Sequence, residues 1–470
     1  MYDVNSKHAA DFINHQEILD TLAYARENCT NETRIDEVIA KAEKGQGLSH
    51  REGALLLLCP LPDKNQAILS LAQKIKHRFY GNRIVLFAPL YLSNYCINGC
   101  IYCPYHVKNK CIPRKKLSQA EIRQEVIALQ DMGHKRLAIE AGEDPIHNTM
   151  DYYLKSIETI YSIKHKNGAI RRANINIAAT TVDHYRLLNE AEIGTYILFQ
   201  ETYNRTYYKK LHPSGPKSDY DYHTTAMDRA MESGIDDVGL GVLFGLSNYD
   251  YEYVGLLMHG EHLESAFGVG PHTISMPRLR SADSINPDDF NSIDDETFAK
   301  IVACVRLAVP YTGMIISTRE SKECREKVLT LGISQISGGS KTSVGGYANI
   351  EPQETKQFET HDNRTLDEVV YWLMELGYIP SFCTACYREG RKGDRFMELC
   401  KSGQLQNICH PNSLMTLKEY SVDYANANTQ SLANQRIAQE INNIPNEKVR
   451  ALVTENLRLI AQNNRRDFRL

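Results

Sequence analysis

Residues 92 to 103 read LSNYCINGCIYC, a run that places Cys96, Cys100 and Cys103 at the spacing CxxxCxxC. The preceding segment, residues 83–91, has the apolar character of a buried strand, and the turn-prone Asn-Gly pair argues against a helix through the cysteines. The three thiols therefore lie on a loop that follows a strand. Thiolates hold iron–sulfur clusters, and close spacing lowers the entropic cost of gathering them. Three thiolates on a four-iron cluster leave one iron open to a substrate or cofactor.

Two alternatives exist for this loop. The three cysteines could be structural, or they could hold zinc, which would need a fourth ligand such as His106 or Cys111 to close its tetrahedron. The run also carries an aromatic residue, Tyr102, directly before its last cysteine. With that residue it resembles the signature of the radical S-adenosylmethionine (radical SAM) enzymes. The resemblance implies a 4Fe-4S cluster whose open iron binds SAM, with Tyr102 against the adenine.

The composition is that of an ordinary globular protein. The 470 residues are 42% hydrophobic and 24% charged, with a net charge of -4, so no basic excess suggests a nucleic-acid partner. The amino terminus lacks the layout of a signal peptide, and no apolar run approaches the roughly 20 residues of a membrane span. The sequence therefore predicts a cytoplasmic protein without a membrane partner, in which the twelve cysteines are reduced thiols or metal ligands.

From residue 83 onward, short β-rich runs alternate with helical stretches, the pattern of a parallel sheet with crossover helices. Eight such units predict an α/β protein built on a complete (β/α)8 TIM-type barrel, with the reactive residues at the carboxyl ends of the strands. The predicted domains are a helical amino-terminal extension, the barrel and a carboxyl-terminal cysteine-bearing extension, at residues 1–82, 83–377 and 378–470. The predicted strands are Ile84–Leu90, Arg136–Ala141, Ala173–Ala179, Tyr196–Glu201, Val238–Phe244, Thr273–Met276, Met314–Thr318 and Ile333–Ser337.

Two of the predicted strand ends carry candidate cofactor-binding residues. The second strand runs into Gly142 and Glu143, where the small glycine lets the backbone approach a ligand closely. This turn stands where radical SAM proteins carry the Gly-Gly-Glu-Pro motif that binds the amino group of SAM. The fourth strand ends in Gln200 and Glu201, which place an amide and a carboxylate at the barrel mouth. Either could bind SAM, and a surface carboxylate is the alternative.

Candidate substrate-binding residues follow the seventh and eighth strands. Arg319 could bind a carboxylate through two hydrogen bonds, the geometry suited to an amino-acid substrate, with Ser317 and Ser340 nearby. The alternative for Arg319 is a salt bridge to Glu320 or Glu323.

A second cysteine group lies past the barrel. Cys383 and Cys386 form a CxxC pair, and 22 residues separate Cys386 from Cys409. Because this group is remote in sequence from the first, it predicts a separate centre. Cys400 or His410 could complete a zinc site, so spacing alone leaves zinc and iron–sulfur equally favoured.

The combined motifs resemble the radical SAM tyrosine lyases of FeFe-hydrogenase maturation, over roughly residues 80 to 425. The resemblance implies that Cys96, Cys100 and Cys103 bind the SAM cluster. It further implies an auxiliary 4Fe-4S cluster with an additional iron, which takes a non-protein cysteine ligand. The auxiliary ligands would be Cys383, Cys386 and Cys409, with His272 on the additional iron, whereas Cys400 is outside the family pattern. The motifs that carry the resemblance are CxxxCxxC at 96–103, AGEDP at 141–145, FQETY at 199–203, GPHTIS at 270–275, PYTGMI at 310–315 and CxxC-x22-C at 383–409.

The activity that this resemblance implies has two stages. L-tyrosine would be cleaved at its Cα–Cβ bond to p-cresol and dehydroglycine, and dehydroglycine would yield carbon monoxide and cyanide at the auxiliary cluster. The product would be an iron–carbonyl–cyanide–cysteine unit for hydrogenase assembly. The implied partners are SAM, an electron donor such as ferredoxin or flavodoxin, and other maturation proteins. The alternatives are a thiamine-biosynthesis tyrosine lyase (2-iminoacetate synthase), which lacks the second cysteine set, and a non-catalytic iron–sulfur scaffold.

Overall fold

The centre of the molecule is a closed barrel of eight parallel strands. The computed structural model describes residues 1–280, 290–348, 355–402, 404–463 and 465–470. In chain order the barrel strands are β1 Arg83–Ser93, β2 Arg136–Ala141, β3 Arg172–Asn176, β4 Tyr196–Ile197, β5 Val238–Gly241, β6 Thr273–Ser275, β7 Gly313–Ile316 and β8 Gln335–Ser337. Consecutive strands pair, and β1 also pairs with β8 through Val85 opposite Gln335, so the sheet closes. The predicted eight-stranded barrel is confirmed.

Several strands end earlier than the sequence pattern predicts. The fourth was expected to reach Glu201, whereas β4 ends at Ile197. Leu198 and Gln200 nevertheless donate their backbone N–H groups to carbonyls of β5. The chain therefore continues along β5, and apolar alternation persists past the end of the assigned strand.

Every barrel strand is followed by at least one helix. The helix after β1 begins with a capping box, in which Ser118 and Glu121 each bond the other's backbone. The sequence SQAE at 118–121 has the form of this motif and by itself predicts a helix start. A short hairpin, Lys164–His165 with Gly168–Ala169, precedes β3. The connecting helices are Gln119–Met132, Met150–Ser162, Val182–Glu190, Arg205–Leu211, Tyr220–Thr224, Ala226–Glu232, Tyr249–Phe267, Asp295–Ala308, Lys322–Leu331 and Leu366–Glu375.

The amino-terminal helices pack against the outside of the barrel, on the helices Tyr249–Phe267 and Asp295–Ala308. His50 joins the layers, with its ring nitrogens 3.1 Å from Glu17 and 2.7 Å from Glu261. Apolar side chains of this extension belong to the same buried core as those of the barrel. These helices are Ala9–Phe12, His15–Asn28, Glu32–Glu43, His50–Leu58 and Pro62–Tyr80.

The carboxyl-terminal segment adds a ninth strand and covers the amino-terminal end of the barrel. Strand β9, Ile379–Ser381, pairs in parallel with β1 at Arg83–Val85. A buried ion pair between Arg171 and Glu419, 2.9 Å apart, fixes the helices behind it. Those helices are Ala385–Arg388, Gly393–Lys401, Leu405–Asp423, Ala427–Glu440 and Glu447–Asn463. In the described part of the chain, no helix combines the length and apolar character needed to cross a membrane.

Candidate active site and auxiliary centre

A cavity of about 230 Å³ opens at the carboxyl ends of the barrel strands. Its walls bring together residues from the segments that follow all eight barrel strands. Among the predicted site residues it is lined by Cys96, Cys100, Cys103, Tyr102, Gly142, Glu143, Glu201, Ser317 and Arg319. The loops that the sequence separates by more than 200 residues therefore meet at one site.

Backbone contacts join the cysteine loop to the turn after β2. The Gly142 N–H donates to the carbonyl of Ser93 at 3.1 Å, and the Ile97 N–H donates to the carbonyl of Glu143 at 2.9 Å. The side-chain amide of Asn148 donates to the carbonyls of Tyr95 and Gly142, at 3.0 and 2.7 Å. The turn thus positions the cysteines as well as lining the cavity.

The thiols of the first cysteine set suit a bound metal cluster. Burial raises the pKa of Cys100 to about 11 and that of Cys103 to about 12, so the free thiols hold their protons at neutral pH. A cationic cluster would replace those protons, since thiolates are the ligands. Lys217 lies close enough to act electrostatically on both thiols, and its Nζ is 3.0 Å from Glu201. Sequence reasoning missed Lys217, because no motif surrounds it.

The residues expected to contact SAM have defined partners. The buried Tyr102 hydroxyl lies 2.7 Å from Nε2 of His212, and Glu143 accepts a hydrogen bond from Asn98 at 2.6 Å. Burial raises the pKa of Glu143. Glu201 has a φ of 67°, a left-handed conformation that is uncommon for a residue other than glycine and is often retained at functional sites.

Arg319 faces the cavity beside an unexpected carboxyl group. Its guanidinium lies 3.7 Å from the centroid of the Phe358 ring, and burial lowers its pKa. The alternative of a salt bridge to Glu320 is wrong, because Glu320 pairs with Arg278 and Arg280. No salt bridge to Arg319 occurs among the described residues, so its guanidinium is available to a carboxylate.

Glu140 also lines this cavity, at the end of β2, and sequence reasoning did not select it. Its pKa is raised to about 8 because burial disfavours the charged form more than Arg319 and a hydrogen bond from Asn176 stabilise it. The side chain is therefore largely protonated at neutral pH in the folded chain.

Two predicted residues are not among those lining the cavity. Gln200 directs its amide to the hydroxyl of Thr224, 2.9 Å away. Ser340 is buried, and in the described part of the chain its hydroxyl has no hydrogen-bond partner. Of the two adjacent residues Gln200 and Glu201, therefore, Glu201 alone lines the cavity.

A second cavity, of about 70 Å³, lies at the opposite end of the barrel. It is lined by Cys383, Cys386, Cys409 and His272. His272 precedes β6, so it lies at the amino ends of the strands. The strand pattern alone placed every reactive motif at the carboxyl ends, and for His272 this is wrong because the residue is at the start of its strand.

The second cavity is electropositive. Arg136 donates to the carbonyl of Cys383 at 2.8 Å, and Arg172 donates to Asn174 at 2.7 Å. Burial lowers the pKa of both arginines, yet a guanidinium keeps its charge in proteins. Neither arginine forms a salt bridge within the described residues, so this end of the barrel favours an anionic cluster or ligand.

The three thiols of this cavity differ in acidity. A hydrogen bond from Cys409, together with Arg391 and His272, lowers the pKa of Cys386, and the same hydrogen bond raises the pKa of Cys409. A proton shared between the two sulfurs explains why the pKa of one thiol falls while that of the other rises. Cys386 is therefore the thiol readiest to bind metal.

The remaining candidate ligands do not reach this cavity. Cys400 is buried and packs with Cys409, but it does not line the space. His410 lies with Nε2 3.2 Å from the carbonyl of Glu440. The cavity thus presents three cysteines and one histidine.

The cysteine sets are too open for a single ion. Among described residues, the one trio of ligand groups whose donor atoms all lie within 4.8 Å is Asp295, Glu320 and Cys324, where Arg278 already pairs with both carboxylates. Neither cysteine set closes to this distance. The wider spacing fits thiolates that bind different irons of one cluster and argues against tetrahedral zinc.

The two cavities have one lining side chain in common. Gln335, on β8, lines both of them. A Cβ atom at Gly313 would lie 2.7 Å from the Gln335 amide nitrogen, so the glycine on β7 makes room for this side chain. The barrel axis is therefore polar where the cavities meet.

Comparisons with known proteins agree with this architecture. Residues 90–259 match the model of the Radical SAM superfamily, and residues 275–379 match that of the Biotin and Thiamin Synthesis associated domain. The crystal structure of HydG, a maturase of the FeFe-hydrogenase, is similar with a TM-score of 0.95 at 52% identity, covering 98% of this chain and 100% of that one. HydG from Carboxydothermus hydrogenoformans gives a TM-score of 0.83 at 37% identity, covering 96% and 99%. The 2-iminoacetate synthase of Salmonella typhimurium strain LT2 is 31% identical over 347 residues, 73% of this chain and 89% of the relative.

A closed barrel whose first loop brings three cysteines to the cavity at its mouth, together with the superfamily match, defines a radical SAM enzyme. Enzymes of this class use a 4Fe-4S cluster, SAM and a reductant. The near-complete structural match at 52% identity narrows the class further: the chain belongs to the HydG family of FeFe-hydrogenase maturases.

We expect Gly142→Ala to disrupt the radical SAM site. An added Cβ would clash with the carbonyl oxygen of Tyr95 and lie 3.0 Å from Cβ of Cys96, so the loop must move. SAM cleavage to 5′-deoxyadenosine should fall ~100-fold, the cost of misplacing reacting groups by about 1 Å. Gly260→Ala is the control, since its Cβ would meet nothing closer than 3.8 Å. Parental SAM cleavage by Gly142→Ala would contradict this role.

We expect Glu140→Gln to change how stability depends on pH. The folded pKa of about 8 exceeds the ordinary carboxyl value, so this group's contribution to stability is complete at low pH and is lost as pH rises toward 8. As pH rises through this window, the free energy of unfolding of the neutral variant should therefore increase relative to that of the parent by up to ~1.4 kcal/mol per pH unit. Thermal unfolding of the iron-free chain between pH 5 and 9 measures this, and parallel profiles would contradict it.

Proposed function

We propose that this chain cleaves the Cα–Cβ bond of L-tyrosine to p-cresol and dehydroglycine, then converts dehydroglycine to carbon monoxide and cyanide. The product is an Fe(CO)(CN)(cysteine) unit for the hydrogenase H-cluster. The observation that carries the proposal is the placement of two cysteine trios at opposite ends of one barrel, with cavities that share Gln335. Family membership adds independent support.

The cavity at the carboxyl ends provides the groups for the first stage. Cys96, Cys100 and Cys103 hold the 4Fe-4S cluster. When bound, that cluster and SAM supply the 5′-deoxyadenosyl radical, which takes a hydrogen atom from the amino group of tyrosine. Tyr102 would lie against the adenine of SAM, and Glu143 would accept a hydrogen bond from its amino group.

SAM and tyrosine need separate recognition at this end. Gly142 lets SAM approach the backbone, and Glu201, held by Lys217, lies on the other side of the cavity. Arg319 binds the tyrosine carboxylate, with Ser317 beside it. Neutral Glu140 adds no second charge at neutral pH. The enclosed walls exclude water, which protects radical fragments from side reactions.

The opposite cavity provides the groups for the second stage. Cys383, Cys386 and Cys409 would hold the auxiliary 4Fe-4S cluster, while His272, together with a non-protein cysteine, would bind the additional iron. Dehydroglycine carries a carboxylate, and the unneutralised guanidinium groups of Arg136 and Arg172 attract that charge to this end. Gln335 offers hydrogen bonds where the two cavities meet.

The remaining features of the proposal concern partners and organisation. The reductant is a donor such as ferredoxin or flavodoxin, and other maturation proteins receive the product in the cytoplasm. The functional units are the helical extension 1–82, the radical SAM barrel 83–377 and the auxiliary-cluster segment 378–470.

A 2-iminoacetate synthase activity is the second candidate, because a relative with that function covers 73% of this chain. It would use the first stage alone. The second cavity, with its three cysteines and His272, favours the two-stage function. A non-catalytic scaffold would leave the SAM-type cavity without a use.

Anaerobic incubation of the reconstituted chain with SAM, dithionite and tyrosine tests the proposal. We expect p-cresol together with carbon monoxide and cyanide. Formation of p-cresol alone would instead show a 2-iminoacetate synthase, and the absence of p-cresol would show a scaffold.

Cys386→Ala should abolish carbon monoxide while p-cresol continues to form, because the substitution removes a ligand at the far end of the barrel. Cys400→Ala is the matched control, a buried cysteine that does not line the cavity. Release of carbon monoxide by Cys386→Ala at the parental rate would overturn the proposal that the second stage needs a separate auxiliary cluster.

Arg319→Ala should raise KM for tyrosine ~100-fold, because a charge-assisted bidentate contact is lost. Arg319→Lys keeps the positive charge but loses the planar pair of N–H donors, so it should give an intermediate KM. Arg205→Ala, which removes a surface pair with Asp221, is the control. Unchanged KM and kcat in Arg319→Ala would exclude this arginine as the carboxylate ligand.

A further inference from the structure

A buried carboxylate lies directly behind His272. Asp237, the residue before β5, is 1% exposed, and its Oδ1 is 3.1 Å from Nδ1 of His272. The other carboxylate oxygen and Nδ1 of the imidazole are both buried and have no hydrogen-bond partner among the described residues. A hydrogen bond between this carboxylate and this ring would satisfy both groups.

The same carboxylate also contacts the segment that carries the auxiliary cysteines. Asp237 Oδ1 accepts the backbone N–H of Gly393 at 3.1 Å, at the first residue of the helix Gly393–Lys401. Phe396, on this helix, packs against the His272 ring with centroids 4.8 Å apart. The imidazole is therefore held between a carboxylate of the barrel and a helix of the carboxyl-terminal segment.

The remaining ring nitrogen faces the cavity. Nε2 of His272 lies 3.2 Å from the Tyr387 hydroxyl, and both residues line the cavity of the second cysteine set. When Nδ1 donates its proton to a carboxylate, Nε2 carries the lone pair that a metal requires. A metal bound at Nε2 would require the Tyr387 hydroxyl to give up this contact.

We propose that Asp237 is a positioning residue for the auxiliary centre: it holds the Nε2-ligating tautomer of His272 and fixes that ring against the helix Gly393–Lys401. The inference rests on the proposed function, which assigns the additional iron to His272. Partners of this kind increase the basicity of the ligand, and their removal commonly costs 10- to 100-fold in metal affinity.

The test uses the full-length chain with Cys96, Cys100 and Cys103 replaced by alanine, so that iron binds at the auxiliary centre alone. Asp237→Asn keeps the side-chain volume and one carbonyl oxygen but removes the charge. We expect it to retain the cysteine-bound cluster and bind the additional ferrous iron ~10-fold or more weakly. Anaerobic Fe²⁺ titration and the EPR spectrum of the reduced cluster measure these two properties.

The matched control is Asp228→Asn, which alters another carboxylate–histidine pair, the half-buried Asp228 with the buried His262 at 2.7 Å, away from both cavities. It should bind iron as the parent does. Parental iron affinity and EPR in Asp237→Asn would overturn the inference. So would loss of the cysteine-bound cluster together with a lowered Tm, since that would show a role in folding alone.

His272→Ala separates this inference from the proposed function. If His272→Ala still binds the additional iron with parental affinity, the ligand assignment in the proposed function fails. If His272→Ala loses that iron while Asp237→Asn keeps it, only the positioning role fails. In the double variant, Asp237→Asn should weaken residual iron binding no further, because its effect passes through His272.

Discussion

Strand β1 is the element on which both centres depend, because it pairs with three other strands along its length. Its first residues pair with β9, its middle residues with β8, and its last residues with β2. The β8 pairing closes the barrel. The cysteine loop leaves the carboxyl end of β1, and β9 delivers Cys383 beside the amino end. One strand therefore places the two cysteine sets at opposite ends of a shared interior.

The two ends differ in charge, and the difference fits the chemistry proposed for each. In the cavity at the carboxyl ends, Lys217 pairs with Glu201, while Arg319 lies near the protonated Glu140. That balance suits a zwitterionic amino acid. At the amino ends, Arg136 and Arg172 lack salt-bridge partners within the described residues, and the buried carboxylate of Asp237 is engaged with His272 and Gly393. An anionic fragment would therefore gain favourable electrostatic energy by moving to a position between the two arginines.

Sequence reasoning predicted the elements whose signals are local. Hydrophobic runs of the right length identified all eight barrel strands, and the Ser118 capping box identified the start of a helix. The predicted strand ends were less accurate. The assigned strand β4 ends at Ile197, whereas the apolar alternation and the hydrogen bonds to β5 continue beyond it. Strand β9 was not predicted, since three residues that contain a proline give no clear periodicity and the pairing with β1 is non-local.

The functional residues divide along the same line. The sequence by itself determined the two cysteine sets, the turn at Gly142 and the order of the barrel, because spacing and periodicity are properties of neighbouring residues. Only the tertiary structure decided that Gln200 points away from the cavity and that His272 lies at the amino end. It also placed Lys217, Glu140, Arg136 and Arg172 in the cavity walls, and Asp237 behind His272. These side chains belong to no motif, and their roles arise from burial and from neighbours that are remote in sequence. The candidate metal ligands could thus be identified from the sequence. The charged side chains around them come together only because the barrel closes.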